Sequence, residues 1–195
     1  MRLDLASKSP RRREILKPYF SLRMIDSEID EGRLKDEKPL HYVRRIAREK
    51  WMAASQKGGG KTNILLAADT TVYCGSKIFG KASSAREAAR FLHSLSGRTH
   101  FVATAVALGR ALGMGQKFKP KVFVVISRVR FRKLSPAEIN SYIASGEWKG
   151  KAGAYAIQGR AAGFVETITG SLTNIIGLPL AETLGAIRKP LKREL

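Results

Sequence analysis

The sequence has little cysteine, few aromatic residues and no long apolar run. Cys74 is the single cysteine among 195 residues, which excludes an internal disulfide and a zinc site built from several cysteines. Aromatic residues make up 8% of the chain, and none alternates with arginine in the stacking pattern of a single-strand nucleic-acid platform. No apolar run approaches the roughly 20 residues that a membrane span needs, and the basic N-terminus lacks the apolar stretch of a secretory signal. We therefore expect a cytoplasmic protein.

Acidic residues are scarce as well. The chain has 16 aspartates and glutamates against 36 lysines and arginines, which gives a formal net charge of +20. Such a charge favours a polyanionic partner, namely nucleic acid, a nucleotide or an acidic membrane surface. The positive residues are spread along the chain, so a disordered basic arm is not indicated. The length suits one domain or two tightly joined lobes.

The first motif is a short strand, a serine turn and a helix that begins with arginines. Leu3 and Leu5 alternate with polar residues, and Ser9 before Pro10 predicts a helix start with Ser9 as the N-cap. The apolar spacing predicts a buried helix face made of Ile15, Leu16, Tyr19 and Phe20. Residues 11–13 are all arginine and lie in the first turn, where the helix dipole disfavours cations. A bound anion would account for them, so this motif predicts a phosphate cradle, with a solvated basic turn as the alternative.

Two further stretches carry candidate functional residues. Residues 26–32 form an acidic loop, which is either a solvated turn or part of a cation site. A long helix is predicted from Pro39 to Lys57, and Lys50 lies near its apolar stripe and its end, where a lysine usually interacts with the helix dipole.

An apolar run from Ile64 to Ala68 predicts a buried strand that Asp69 follows directly. Open α/β sheets place their chemistry at such a strand end. The alternative is a carboxylate that accepts backbone hydrogen bonds there.

The second half of the chain alternates further strands and helices. Ser84 and Ser135 each open a predicted capping box. The remaining predicted elements are strands at 99–108 and 122–131, joined by a connection containing Gly109, Gly113 and Gly115, short strands at 155–158 and 164–168, and a last helix through Ile187 that Pro190 ends. The pattern predicts a mixed-sheet α/β protein.

Six separated motifs resemble the Maf family in order and spacing. They are Leu5-Ala6-Ser7-Lys8-Ser9-Pro10-Arg11-Arg12, Ala47-Arg48-Glu49-Lys50, Ala68-Asp69-Thr70, Gly80-Lys81, residues 151–159 and Gly177-Leu178-Pro179-Leu180. The resemblance spans Leu3 to about Leu184. It implies one Maf-like domain over 1–195, with an elongated, two-lobed, mixed-sheet α/β fold related to the inosine triphosphatases and a central cleft. It also implies a cytoplasmic nucleoside triphosphate pyrophosphatase that uses a divalent cation, Mg²⁺ or Mn²⁺.

The resemblance also assigns roles to individual residues. Asp69 matches the general base, and Glu31 matches an acidic residue near the metal, so both are candidate metal ligands. The residues 155–158 resemble the branch of the family that acts on dTTP and UTP. The residues that match substrate-binding positions are Ser7, Arg11, Lys50 and Lys81 along the phosphate path, and Arg12, Thr70 and Gln158 for base selection.

Asp69 is suited either to binding the cation or to taking the proton of the attacking water, and the sequence does not separate the two roles. Gln158 offers the donor and the acceptor needed to read a pyrimidine edge, yet is equally compatible with an ordinary strand residue.

Four positions depart from the family pattern. They are Lys8, Ala68, Ala82 and Gly150. Gly150 stands where many members carry an aspartate, so any metal or water role of that acid passes to Glu147, Glu31 or Asp69.

A second hypothesis is a nucleic-acid-binding or cell-division (septum) regulatory protein that uses the basic surface. Nucleic acid is not expected as the main partner, no membrane association is expected, and a homodimer is compatible with the sequence. His41, His93 and His100 show no ligand or nucleophile spacing and are predicted to be surface or packing residues.

Overall fold

The computed structural model describes residues 1–60, 63–110 and 119–188. Within these ranges the chain forms seven strands, six α-helices and one 3₁₀ helix. The strands are β1 (Arg2–Ala6), β2 (Ser21–Met24), β3 (Ile64–Cys74), β4 (Lys77–Phe79), β5 (Thr99–Gly109), β6 (Lys121–Phe131) and β7 (Val165–Thr169). The helices are α1 (Pro10–Leu16), α2 (Pro39–Gln56), α3 (Ala85–Leu95), α4 (Pro136–Ala144), α5 (Leu172–Ile176) and α6 (Leu180–Arg188), with the 3₁₀ helix at Arg160–Phe164.

The strands form one mixed sheet in the order β2-β1-β3-β5-β6-β7, with β4 paired to β3. β1 runs parallel to both of its neighbours, so that Leu3 aligns with Leu22 on β2 and with Ile64 on β3. β4 is antiparallel to β3, and β7 is antiparallel to β6. The predicted mixed-sheet α/β class is therefore confirmed.

The chain divides into two compact units. The first comprises Met1–Asp69, Thr104–Val125 and the chain from Gly177 onward, and the second comprises Thr70–Ala103 and Ile126–Ile176. Each unit has its own apolar core. The core of the first includes Leu3, Leu5, Leu16, Leu66 and Leu178, and that of the second includes Phe79, Leu92, Phe131, Tyr142 and Phe164. The expected single domain with a central cleft stays a prediction.

Several local predictions are confirmed, and one helix is shorter than expected. Ser135 forms the predicted capping box with Glu138. At Ser84 only half of the predicted box forms, because its side chain accepts the Glu87 N–H while the Glu87 carboxylate bonds to Ser83. α1 ends at Leu16, and Tyr19 lies beyond it with an exposed side chain, so the predicted buried face is wrong at that position. The predicted connection through Gly113 and Gly115 and the helix stop at Pro190 lie outside the described residues.

Among the described helices, none combines the length and the hydropathy that a transmembrane segment requires.

Candidate active site

Lys50 lies between two carboxylates in the first unit. Its Nζ is 2.8 Å from Asp69 Oδ1 and 2.8 Å from Glu31 Oε1. Lys50 faces inward because it shares the buried face of α2 with Val43 and Ala47. The residue is 8% exposed and lies well before the helix end, so the helix-dipole interpretation of Lys50 is wrong. A buried ammonium needs a charged partner, and Asp69 supplies it.

Asp69 lies in the middle of β3 rather than at a strand end. The strand continues to Cys74 because Val72 and Tyr73 pair with β4. The prediction of a strand-end carboxylate is therefore wrong in position, although Asp69 does face a cation. Asp69 is 6% exposed and is the last residue of the first of the three segments that make up the first unit.

The turn between β1 and α1 is held together by Arg12. Its Nε donates to the Gly177 carbonyl at 2.8 Å and its Nη1 donates to Ser7 Oγ at 3.1 Å. Burial lowers the pKa of the Arg12 guanidinium, while the charges of Asp69 and Glu31 act in the opposite direction. Arg12 thus connects the arginine-rich turn to the segment before α6, a contact that no local pattern indicates.

Ser9 occupies the predicted N-cap position and Pro10 begins α1, as predicted, but the Ser9 hydroxyl does not cap the helix. Its side chain makes no capping hydrogen bond, and its backbone N–H donates to Ser7 Oγ at 3.2 Å. Ser7 therefore accepts from both Ser9 and Arg12 and fixes the turn. Arg11 is partly buried beside it, which lowers the pKa of its guanidinium.

Glu31 is carried by an irregular segment that α2 fixes in place. The Tyr42 hydroxyl donates to the Glu31 carbonyl at 3.1 Å. Burial, together with the charges of Asp69 and Glu31, raises the pKa of Tyr42 to about 12, so the phenol stays protonated and able to donate. Sequence reasoning missed Tyr42. The i, i+4, i+8 spacing of Tyr42, Ile46 and Lys50 on one helix face is the signal that indicates it.

Thr70, Lys81 and Gln158 belong to the second unit. Thr70 follows Asp69 along β3, and Lys81 forms an isolated antiparallel bridge with Ala152. The Gly153 N–H donates to the carbonyl of Phe79 at 2.9 Å. The segment with Gly80-Lys81 therefore lies beside the segment that begins at Lys151. Two of the six sequence motifs are thus neighbours in the fold.

Residues 155–158 do not form the predicted strand. Gly153 and Ala154 both have positive φ values, 69° and 58°, and Gln158 is exposed in a turn. The left-handed pair reverses the chain before Tyr155 can begin an extended strand. The assignment of Gln158 to base selection stays a prediction.

Glu147, one of three residues considered as a substitute for the acid missing at position 150, has a local role in the second unit. Its Oε2 accepts the Arg160 N–H at 2.9 Å, and it lies so close to Gly159 that a Cβ there would be 2.1 Å away. Gly150 itself has a φ of 67°, which suits glycine. Of the three residues, Glu31 and Asp69 are the two whose carboxylates contact the Lys50 ammonium.

The two carboxylates fit a divalent cation that arrives with a phosphate ligand. Protein sites usually hold Mg²⁺ through one or two carboxylates, with water and substrate phosphate oxygens completing the octahedron. Asp69 and Glu31 supply two carboxylates, and the part of the chain that the structure describes offers no cluster of three or more acidic, histidine or cysteine ligands.

The family model described as Maf-like protein matches residues 2–190. The chain belongs to the Maf family. A Cereibacter sphaeroides protein named dTTP/UTP pyrophosphatase is 46% identical over 198 residues, which cover 99% of this chain and 98% of that protein. An Anaeromyxobacter dehalogenans protein with the same name is 44% identical and covers 96% and 93%. Among solved structures, the Ham1 protein of Staphylococcus aureus matches with a TM-score of 0.43 and 15% identity over 67% of this Maf chain and 72% of its own.

Proposed function

We propose that this Maf protein hydrolyses nucleoside triphosphates to the monophosphate and pyrophosphate, with dTTP and UTP as its substrates. The single observation that carries the proposal is the convergence of Asp69 and Glu31 on Lys50 in the unit that also contains the arginine-rich turn. The names of the two relatives support the reaction and the bases, because each aligns with almost the whole chain. Nucleoside triphosphates are cytoplasmic metabolites, so we also propose the cytoplasm as its location.

The charged residues have distinct tasks in this proposal. A triphosphate carries about four negative charges, and its hydrolysis depends mainly on positioning and electrostatic stabilisation. The Arg11 guanidinium suits two-point contacts with phosphate oxygens. Lys50 and Lys81 supply compact positive charges. Arg12 contributes by holding the turn, because its Nε and Nη1 are bonded to Gly177 and Ser7.

Asp69 acts as the general base. It takes a proton from the water that attacks the α-phosphorus, and pyrophosphate leaves. Its pairing with Lys50 fixes the orientation of the carboxylate, since Oδ1 is bonded to Nζ at 2.8 Å. General-base catalysis contributes roughly 100- to 10,000-fold to a rate.

Asp69 and Glu31 are the residues that would hold the divalent ion. When bound, the ion neutralises phosphate charge and lowers the pKa of a coordinated water. Lys50 keeps the two carboxylates together before substrate arrives, because one ammonium contacts both. Thr70 and Gln158 are proposed to read the pyrimidine, with the Gln158 amide supplying a donor and an acceptor.

The test is to measure both possible phosphate products. Purified protein is incubated with Mg²⁺ and each of dTTP, UTP, CTP, ATP and GTP, and pyrophosphate and orthophosphate are quantified separately. We expect pyrophosphate from dTTP and UTP, and a loss of roughly 100-fold or more in Asp69→Asn. Glu182→Gln is the control, because Glu182 is an exposed acid of the same unit that lies on α6, outside the acidic loop at residues 26–32. Release of orthophosphate alone, or equal rates in Asp69→Asn and wild type, would refute the proposal.

The nucleic-acid alternative gains no support from two exposed arginines of the second unit. Arg130 pairs with Glu166 at 2.5 Å, and Arg132 pairs with Glu138 at 2.6 Å. Their charges are compensated locally, which weakens any phosphate contact from that face.

A further inference from the structure

We propose that Tyr42 and Arg45 are positioning residues that hold Glu31 against Lys50. Each residue bonds to the backbone that carries Glu31, Tyr42 at the Glu31 carbonyl and Arg45 at the Gly32 carbonyl. Where the test measures activity, this inference rests on the pyrophosphatase function proposed above.

The segment that carries Glu31 depends on side-chain contacts for its position. Residues 26–38 contain no helix or strand in the described chain, so no backbone ladder fixes them. The Glu31 side chain is 37% exposed, and its carboxylate nevertheless meets the buried Lys50 ammonium at 2.8 Å. A carboxylate with that much access to water needs a fixed backbone to keep its contact, because an exposed ion pair is worth little by itself.

Arg45 clamps both sides of this segment. Its Nη2 donates to the Gly32 carbonyl at 2.8 Å, one residue after Glu31. Its Nε and Nη2 also grip both Glu37 oxygens, at 2.7 and 2.8 Å. This two-point geometry uses the planar fork that arginine has and lysine lacks. The Arg45 bonds lower the pKa of Glu37, so the carboxylate is ionised at neutral pH.

Tyr42 completes the clamp one helical turn earlier on α2. Its hydroxyl donates to the Glu31 carbonyl, and the Arg45 guanidinium lies 5.7 Å above its ring. The two residues therefore support each other and anchor consecutive carbonyls, those of Glu31 and Gly32. Since Lys50 lies on the same helix, α2 presents the cation and also positions the carboxylate that meets it.

The contacts around Glu37 fix its carboxylate where it can accept from Arg45. Its side chain is 8% exposed, its Oε2 accepts the Leu34 N–H at 3.2 Å, and its carbonyl accepts two bonds from Arg33. The stretch from Gly32 to Glu37 is thus a turn that is closed by its own hydrogen bonds. Releasing Arg45 from Glu37 and Gly32 would free that turn together with Glu31.

The experiment is a double-mutant cycle on kcat for pyrophosphate release from dTTP. The single variants are Arg45→Met, Tyr42→Phe and Glu31→Gln. The clamp residues are Tyr42 and Arg45, and the substitution at each is also combined with Glu31→Gln. Arg44→Met is the control, because it removes a neighbouring exposed guanidinium whose bond goes to the Val122 carbonyl. Residues that orient a site group typically change activity roughly ten- to hundredfold. We expect that loss in Arg45→Met, a smaller one in Tyr42→Phe, and little further loss when either is added to Glu31→Gln.

A purely structural role would give a different result. If Arg45→Met or Tyr42→Phe lowered kcat by the same factor in the wild-type and Glu31→Gln backgrounds, the inference would be overturned. Unchanged kcat in both clamp variants would overturn it as well. Should Arg45→Met fail to fold, the Tyr42→Phe cycle decides, because that change removes one hydroxyl and keeps the ring.

An activity-independent measurement separates this inference from the proposed function. Amide hydrogen exchange of residues 27–38 is compared in wild type, Tyr42→Phe, Arg45→Met and Arg44→Met. Faster exchange in Tyr42→Phe and Arg45→Met, but not in Arg44→Met, supports the clamp even if no triphosphate is hydrolysed. Exchange equal to wild type in Tyr42→Phe and Arg45→Met refutes the clamp even if the enzyme releases pyrophosphate.

Discussion

Replacing Lys50 by methionine tests whether the central charge contact is buried as the structure describes. The change keeps the length of the side chain and removes the ammonium that contacts Asp69 and Glu31. The Lys50 and Asp69 side chains are 10% and 9% exposed, so water does not readily replace the lost partner of Asp69. Glu31 is more exposed and is expected to contribute less.

The expected loss of stability follows from this burial. Breaking a buried pair by removing one partner costs about 3–5 kcal/mol, because the remaining charge is uncompensated. Neutralising that charge should reverse much of the effect. We therefore expect Lys50→Met/Asp69→Asn to be more stable than Lys50→Met alone by about 2 kcal/mol or more, although it carries one substitution more.

Urea denaturation at pH 7 measures both differences, with the slope m checked for constancy across the variants. Lys57→Met is the matched control. Lys57 follows the same helix and pairs with Asp26, but both side chains are about half exposed, so its loss should cost no more than about 1 kcal/mol. The reasoning would be refuted if Lys50→Met were no more destabilising than Lys57→Met, or if Asp69→Asn destabilised the Lys50→Met protein further.

Two further predictions concern the second unit. Burial lowers the pKa of His100 to about 4, below the value near 6.5 expected in the unfolded chain, so stability falls as pH drops through 6.5 toward 4. Between pH 8 and pH 5 the free energy of unfolding should fall by about 2 kcal/mol from this residue. Urea denaturation of His100→Gln should lack that part of the fall, and an equal pH dependence in wild type and variant would contradict the prediction. Gly153→Ala should destabilise by roughly 2–4 kcal/mol, because its φ is 69° and the new Cβ would lie 3.0 Å from Val72. Gly150→Ala, with a φ of 67° and nothing within 4 Å, should lose only about 1–2 kcal/mol, and equal losses would show that the Val72 contact is unimportant.

Features whose partners are close in sequence could be predicted. The capping box of Ser135 and Glu138 needs four consecutive residues, and the structure contains it as predicted. The box predicted at Ser84 differs in one respect, since the Glu87 carboxylate bonds to the N–H and hydroxyl of Ser83 instead of returning to Ser84. The periodicity predicted α2 from Pro39 to Lys57, and the helix runs from Pro39 to Gln56. In each case the local pattern and the folded state favour the same conformation.

Features that depend on distant partners could not be predicted. The stretch from Tyr155 resembles a strand in composition, yet Ala154 before it adopts a left-handed conformation that is unfavourable for any residue with a Cβ. Contacts elsewhere hold it there. The Tyr155 hydroxyl lies 3.0 Å from His100 Nε2, and the Gly153 N–H reaches the Phe79 carbonyl. Neither partner is visible from the local sequence.

At the candidate site, Lys50 combines a feature that the local sequence indicates with one that depends on distant partners. The apolar positions Val43, Ala47 and Ala54 share a face of α2, and Lys50 falls within that stripe. A lysine in an apolar stripe predicts a buried ammonium, and a buried ammonium requires a buried anion. The sequence alone does not separate this burial from an interaction with the helix dipole, and it does not identify the anion, because any of the 16 acidic residues satisfies the charge. Pairing of β1 with residues 64–67 of β3 places the first half of that strand, which ends at Asp69, in the first unit. The bonds from Tyr42 and Arg45 bring Glu31 to the same nitrogen.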